Sequence, residues 1–294
     1  MAQDEWLAHQ FETHRVHLRA VAYRLLGSLS EADDAVQETW LRVSKAGADD
    51  VENLGGWLTT ITGRICLNML RARRSRREQP IDVHLPDPVV SPDDQLQPET
   101  EALLADSIGL ALLIVLDTLT PAERLAFVLH DLFRLPYDEI ASMIGRSPAA
   151  ARQLASRARR RVQEAELPKS DNDRNRQREI VDAFFRAARG GDFEALLELL
   201  DDGVVLRTDF GEKRPPELIR GRERVAAQSL RGAMTRATVH PAFVNGSPGA
   251  VITIGERPFA LMGFVINDDR IVEIVAIADS ERVRHLASSV LDRL

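Results

Sequence analysis

The sequence is short of cysteine, lysine and long apolar runs, and each shortage excludes something. One cysteine, Cys66, among 294 residues allows no internal disulfide and no zinc centre built from several thiolates. The most apolar run, SIGLALLIVL at 107–116, is half the ~20 residues needed to span a bilayer and reads as a buried core helix. The start, MAQDEWLAHQFETH, is acidic and lacks the basic and apolar stretches of a secretory signal, so the expected compartment is the cytoplasm, with no membrane partner. No Gly-rich phosphate loop, metal-ligand spacing or nucleophile elbow occurs, so neither a cofactor nor an enzymatic activity is expected. Basic charge is carried by 35 Arg against 3 Lys, so an Arg run is in part a habit of composition.

The net charge of −7 is unevenly placed. Residues 1–78 hold 11 basic and 11 acidic side chains, residues 108–167 hold 8 and 7, and residues 168–294 hold 19 and 20. The stretch between, 79–107, has seven acids and no base and therefore carries the whole excess. Its run PIDVHLPDPVVSPDDQLQP is rich in proline, which removes backbone donors and fixes φ, so it reads as an extended acidic linker between two helical domains.

Before the linker, Ser30 followed by Asp33 reads as a helix start, and EADDAVQETWLRVSKA sets Val36, Trp40 and Val43 near one face with Asp33, Asp34, Gln37 and Glu38 on the rest. WLTTITGRICLNMLRARRSRR, 57–77, follows with six Arg, no acid and apolar residues at helical spacing; Trp57 reads as core. Gly63, costing up to ~1 kcal/mol inside a helix, predicts either a break or a tight approach. After the linker, Thr120-Pro121-Ala122-Glu123 is a capping box with proline at the first helical position. Two short helices are then predicted, Tyr137 to Met143 and Ala149 to Val162, joined by a turn at Gly145 and restarted by Ser147-Pro148. Small residues Ala141, Ala151 and Ala155 let them approach as in a helix-turn-helix. From Ile144 to Arg161 there are six Arg and no acid. Arg152, Gln153, Ser156 and Arg157 share a face suited to base edges, with Arg159, Arg160 and Arg161 beyond for phosphates.

DDAVQETWLRV, WLTTITGRICLNMLRARR and LTPAERLAFVLHDLFRLPYDEIASMIGRSPAAARQLASRARRRV, in that order, resemble regions 2 and 4 of an extracytoplasmic-function (ECF) sigma factor over about residues 8–165. The resemblance implies a promoter-specificity subunit of RNA polymerase made of two all-α domains, 1–78 and 108–167, joined by the linker 79–107. It implies that Asp33, Asp34, Gln37, Glu38, Trp40 and Leu41 dock on core RNA polymerase. Arg64, Asn68, Arg71, Arg73 and Arg74 would act on the −10 promoter DNA, Arg64 at the place where the family pockets a flipped base. Arg152, Gln153, Ser156, Arg157 and Arg160 would read the −35 element. The acidic linker would lie in a polymerase channel shaped for RNA.

Residues 175–294 read as helices Glu179 to Ala188 and Phe193 to Leu200, a strand Val204 to Thr208, a helix Glu223 to Met234, then strands near 237–244, 249–254, 258–267 and 270–277, separated by NGSPG, GERP and NDDR. This α+β order resembles a SnoaL-like domain of the nuclear-transport-factor-2-like superfamily, a curved sheet around helices that can enclose a small apolar ligand. The whole resembles the ECF subgroup with this extension, which implies regulation in cis in place of a separate anti-sigma factor. HLPDP, 84–88, is similar to the subgroup's linker motif, with His84 where Trp is usual; TDFGEK, 208–213, matches its Gly-rich loop at Asp209 and Gly211; ADSERVRHL stands where a third motif would follow the last strand, with Asp279 its one suggestive residue. The implied regulatory contacts are Leu85, Pro86, Asp87, Pro88, Asp209 and Gly211. Asp209 and His240 are the one pair that an isomerase-type enzyme could use. A free-standing helix-turn-helix regulator with a ligand-sensing domain is the alternative.

Overall fold

Hydrophobic residues at helical spacing build the first helices, and buried hydroxyls lock them. In the computed structural model, which describes residues 2–46, 51–76, 85–92, 110–165, 174–211, 214–231 and 237–293, helix α1 is Ala2–Leu26, α2 is Leu29–Ala46 and α3 is Leu54–Arg76. Leu7, Phe11 and Leu18 of α1 bury against Val36 and Val43 of α2 and Leu58 of α3, with Trp40 and Trp57 packed at the margin. Thr39 and Thr62 donate to carbonyls one turn back, at 2.7 and 2.9 Å, and their hydroxyls meet at 3.0 Å, so both buried groups are satisfied.

The N-cap of α2 differs from expectation. Gly27 takes φ +74, so Ser28 rather than Ser30 precedes the helix, its hydroxyl 3.5 Å from the Glu31 N–H. At Gly63 the helix does not break: α3 is continuous, and a Cβ there would lie 3.1 Å from Met143 Sδ and 3.4 Å from Leu129 Cδ1. The glycine therefore serves close approach.

The chain divides into two units, residues 1–81 with 112–166, and residues 82–111 with 167–294. In the first, α4 (Leu110–Asp117) leads to α5 (Pro121–Phe127), which opens with both halves of the Thr120/Glu123 capping box. Burial would raise the Glu123 pKa, but hydrogen bonds from Thr120 and the nearby Arg161 outweigh it and hold the carboxyl below its ordinary value. Arg124 is fully enclosed, donating to Asp117 Oδ1 at 3.0 Å and to the Arg24 carbonyl at 3.4 Å. A π-helical turn, Val128–Leu132, follows. Helices α6 (Tyr137–Ile144) and α7 (Pro148–Glu164) then form the helix-turn-helix, with Gly145 at φ +68 in the turn and Ser147 capping α7.

The second unit is the expected α+β arrangement. Helices α8 (Arg174–Gly190), α9 (Phe193–Leu199) and α10 (Arg222–Ser229) accompany strands β2 (Leu200–Asp209), β3 (Glu217–Arg220), β4 (Ala237–Val244), β5 (Ser247–Ile254), β6 (Arg257–Asn267) and β7 (Arg270–Ile277). Helix α10 ends at Ser229, short of the expected Met234; the Ser229 hydroxyl turns back to the Val225 carbonyl at 2.9 Å. With β1 (Val90–Pro92), sheet order is β1-β4-β5-β6-β7-β2-β3, with β2 and β7 the parallel pair. Alternation along the strands sends Ala250, Ile252, Phe264 and Ile274 to one face, against Phe184 and Phe185 of α8. Those three phenylalanines meet edge to face at 5.3–5.6 Å. Val251, Leu261, Val275 and Ile277 line the other face and are buried too, where α11 (Ser280–Leu286) packs on β6.

Strand β1, Val90–Pro92, comes from the acidic linker. It pairs antiparallel with the edge of β4, Val90 opposite Val244 and Pro92 opposite Ala242, and α12 (Ser288–Leu291) packs on it. The Val89 N–H donates to Asn245 Oδ1 at 2.7 Å, and the Asn245 N–H to the Val89 carbonyl at 2.8 Å. A solvated tether therefore does not describe residues 85–92; 93–107, like His84, lies outside the described residues.

Gly63→Leu is expected to destabilise the first unit by the ~1–3 kcal/mol typical of overpacking, seen as a lower urea midpoint. Gly63→Ala, whose methyl meets only side-chain ends, gains up to ~1 kcal/mol of helix propensity and should be far milder. Equal tolerance of both would refute the close-packing role.

Candidate nucleic-acid interface and linker clamp

Helix α7 buries Ala151, Leu154, Ala155 and Ala158 and turns Arg152, Gln153, Ser156, Arg157 and Arg160 outward, all exposed. The five residues assigned to −35 DNA thus share one face. Arg159 and Arg161 do not join them. Arg159 forks onto Asp131 at 2.7 and 2.9 Å, and Arg161 reaches the buried Glu123 at 3.1 Å, so these two charges hold the helix to its own domain. The Arg152 guanidinium lies over the Tyr137 ring, 5.3 Å from its centroid.

On α3, Arg64, Asn68 and Arg71 are exposed at positions i, i+4 and i+7, and Arg74 follows three residues on. Arg64 extends to Ser142 Oγ of α6 at 3.4 Å. Arg73 differs from its neighbours: it is half-buried, paired with Glu31 and donating to the Leu26 carbonyl at 3.1 Å, and braces α3 against the α1–α2 junction. Charge counting could not separate it from its neighbours, because both partners are more than forty residues upstream.

On α2, Asp34, Gln37 and Leu41 are exposed, Leu41 at 46%, a large apolar side chain amid acids. Asp33 is engaged by Arg19 at 2.6 Å and Glu38 by Arg42 at 2.8 Å, both at the surface. Trp40 does not project with them; its half-buried ring sits 5.1 Å from Phe11 in the core.

The second unit brings the linker motif and the loop motif together around a residue that sequence reasoning missed, Arg282. Its Nε donates to Asp87 Oδ1 at 2.6 Å, Nη1 to Asp209 Oδ2 at 2.8 Å and Nη2 to the Leu85 carbonyl at 2.6 Å. The Leu85 N–H closes the ring on Asp209 Oδ2 at 3.3 Å. Burial would lower the Arg282 pKa, but Asp87 and Asp209 outweigh it and keep the guanidinium firmly protonated. Leu85, Pro86 and Pro88 are buried beside it. Asp279 caps α11 by accepting from the Glu281 and Arg282 N–H groups, which aims Arg282 at the linker. Gly211, at φ +68, donates to Asp209 Oδ1 at 2.9 Å, and any Cβ there would lie 2.3 Å from Asp279 Oδ2. The one available signal was position: Arg282 stands three residues after Asp279 in a motif read only for its acid.

Asp209 and His240 do not form a catalytic pair. Strands β5, β6 and β7 stand between β2 and β4; Asp209 is committed to Arg282, and His240 Nε2 is 2.9 Å from Thr253 Oγ1. Among the described residues no cluster of His, Cys, Asp and Glu could hold a metal, and no helix is long and apolar enough to cross a membrane.

Comparison with known proteins places these faces in a family. The Sigma-70 region 2 model matches residues 10–76, and the Sigma-70, region 4 model matches residues 110–162. The chain is 36% identical over 278 residues to the probable ECF RNA polymerase sigma factor SigI of Mycobacterium tuberculosis, covering 93% of each. It is 36% identical over 249 residues to the ECF RNA polymerase sigma factor SigJ of the same organism, covering 82% of this chain and 79% of that one. The crystal structure of Mycobacterium tuberculosis SigJ superposes with a TM-score of 0.73 at 32% identity, over 94% of this chain and 97% of that one. The second unit is accordingly a SnoaL-like sheet domain following two helical sigma domains.

Arg282→Met leaves two carboxylates without their shared cation. Because Arg282 and Asp87 keep 19% and 24% of their side chains exposed, the expected loss lies at the lower end of the ~3–5 kcal/mol for a broken buried pair. Urea unfolding measures it, and a cost below ~1 kcal/mol, the value of a surface pair, would show that the clamp holds little.

Proposed function

Since the chain belongs to the ECF RNA polymerase sigma factors, we propose how its surfaces divide the work of promoter-specific transcription initiation. As a sigma factor it binds core RNA polymerase and promoter DNA. The exposed face of α2, with Asp34, Gln37, Glu38 and Leu41, docks on polymerase. The outward row Arg64, Asn68 and Arg71, with Arg74, acts on the −10 element once strands open. The α7 face reads −35: Arg152 and Gln153 near the helix N-terminus contact base edges, and Arg157 and Arg160 contact phosphates. The SnoaL-like domain has no catalytic part in this scheme, and the site of action is the cytoplasm, where polymerase works.

One observation carries the regulatory part: residues 85–92 are built into the SnoaL-like sheet and clamped by Arg282. A segment seated as a sheet edge cannot at the same time thread a polymerase channel. The clamp thus restrains the sigma factor in cis, and its release frees the linker for polymerase. This device needs no separate anti-sigma factor.

Core polymerase with the full-length protein is expected to start discrete transcripts from a genomic promoter library, and Asp87→Asn, which weakens the clamp, should raise their yield several-fold. A lower yield would mean that the seated linker is the active form. Tight promoter-specific binding without polymerase would instead support a free-standing helix-turn-helix regulator. On −35 DNA, Arg160→Ala should weaken binding evenly across sequences and lower the salt slope by about one; a sequence-dependent loss would make Arg160 a base reader.

A further inference from the structure

The π-helical turn before the helix-turn-helix has a consequence for base reading. Its wider turn, closed by the Phe133 N–H on the Val128 carbonyl at 3.3 Å and followed by Arg134 at φ +60, sets two side chains against the motif. His130 is held by its Nδ1, 3.0 Å from the Leu135 carbonyl, and its ring stacks on Tyr137 at 3.9 Å and 25°. Asp131 holds Arg159 of α7, its Oδ1 accepting from both Nε and Nη2 at 2.9 and 2.7 Å. Tyr137 is thereby held by a stacked ring, and its own π face carries Arg152. Arg152 is the fifth residue of α7, near the end of a recognition helix that meets base edges.

An exposed arginine pays rotamer entropy each time it orders on a base. A guanidinium already resting on a fixed aromatic face loses less of it, so the contact it then makes is both stronger and more exacting. From this geometry we infer that Tyr137, braced by His130, is a positioning residue that sets the base selectivity of Arg152 at the −35 element. The inference rests on the reading of α7 as the −35 helix.

The test is transcription by core polymerase with full-length protein from a promoter library randomised at −35, comparing wild type, Arg152→Ala, Tyr137→Leu and Tyr137→Phe. Tyr137→Leu should reduce base preference about two- to five-fold, the value of an exposed cation–π contact, at the same base pair where Arg152→Ala reduces it. Promoters lacking the preferred base should be unaffected, and Tyr137→Phe, which keeps the ring, should retain the preference. Even loss on all promoters, loss at another base pair, or unchanged preference would overturn the inference. An Arg152→Ala protein without any position-specific effect would remove the −35 reading beneath it and the inference with it. Should Tyr137→Leu fold poorly, the ring current decides: the Arg152 side-chain N–H resonance of the full-length wild type should be displaced from that in Tyr137→Phe by less than from random-coil arginine, and a random-coil position in the wild type would refute the stack.

Discussion

One guanidinium organises the second unit of this protein. Arg282 uses all three nitrogens, two on carboxylates and one on a backbone carbonyl, and the planar fork makes the geometry specific in a way that a lysine ammonium could not. Around it three stretches distant in the chain become one structure: the linker at Leu85 and Asp87, the end of β2 at Asp209, and the start of α11. The apolar burial of Leu85, Pro86 and Pro88 and the strand pairing of β1 follow the same seating. Taken singly these contacts are ordinary; their convergence makes part of an acidic, proline-rich linker a strand of the sheet.

The first unit relies on arginine differently. Arg73, Arg124, Arg159 and the exposed Arg161 are spent on carboxylates and carbonyls of their own domain, while Arg64, Arg71, Arg152, Arg157 and Arg160 project outward. The same residue type serves both as internal brace and as exposed basic surface. Nearby acids sort the two groups, leaving exposed faces that are strongly basic although the chain as a whole is acidic.

How legible this was in the sequence depends on how far each partner lies. The Thr120 capping box, the Gly145 turn and the Ser147 cap involve partners within three or four residues, and the chain announces them. The exposed row of α7 was readable from helical period alone. The packing of Trp40 could not be read from its own helix, because its ring partner, Phe11, lies on another helix. Arg282 could not be found by pattern, since its carboxylate partners lie 195 and 73 residues away. The π-helical turn has no local signature, as nothing in VLHDL distinguishes it from an ordinary α-helical turn.

The end of the linker strand carries a further meaning. Strand β1 is the sheet edge, and it finishes at Pro92, which has no N–H to offer an incoming strand. While seated, it blunts an edge that would otherwise invite pairing. Once it leaves, β4 presents a row of backbone donors and acceptors, with the apolar Val244 and Ala242, to whatever strand is nearby. In the proposed scheme, freeing the linker for one partner thus uncovers a sticky margin elsewhere, and would tie the protein's resistance to edge-to-edge pairing to how much of it keeps its linker seated.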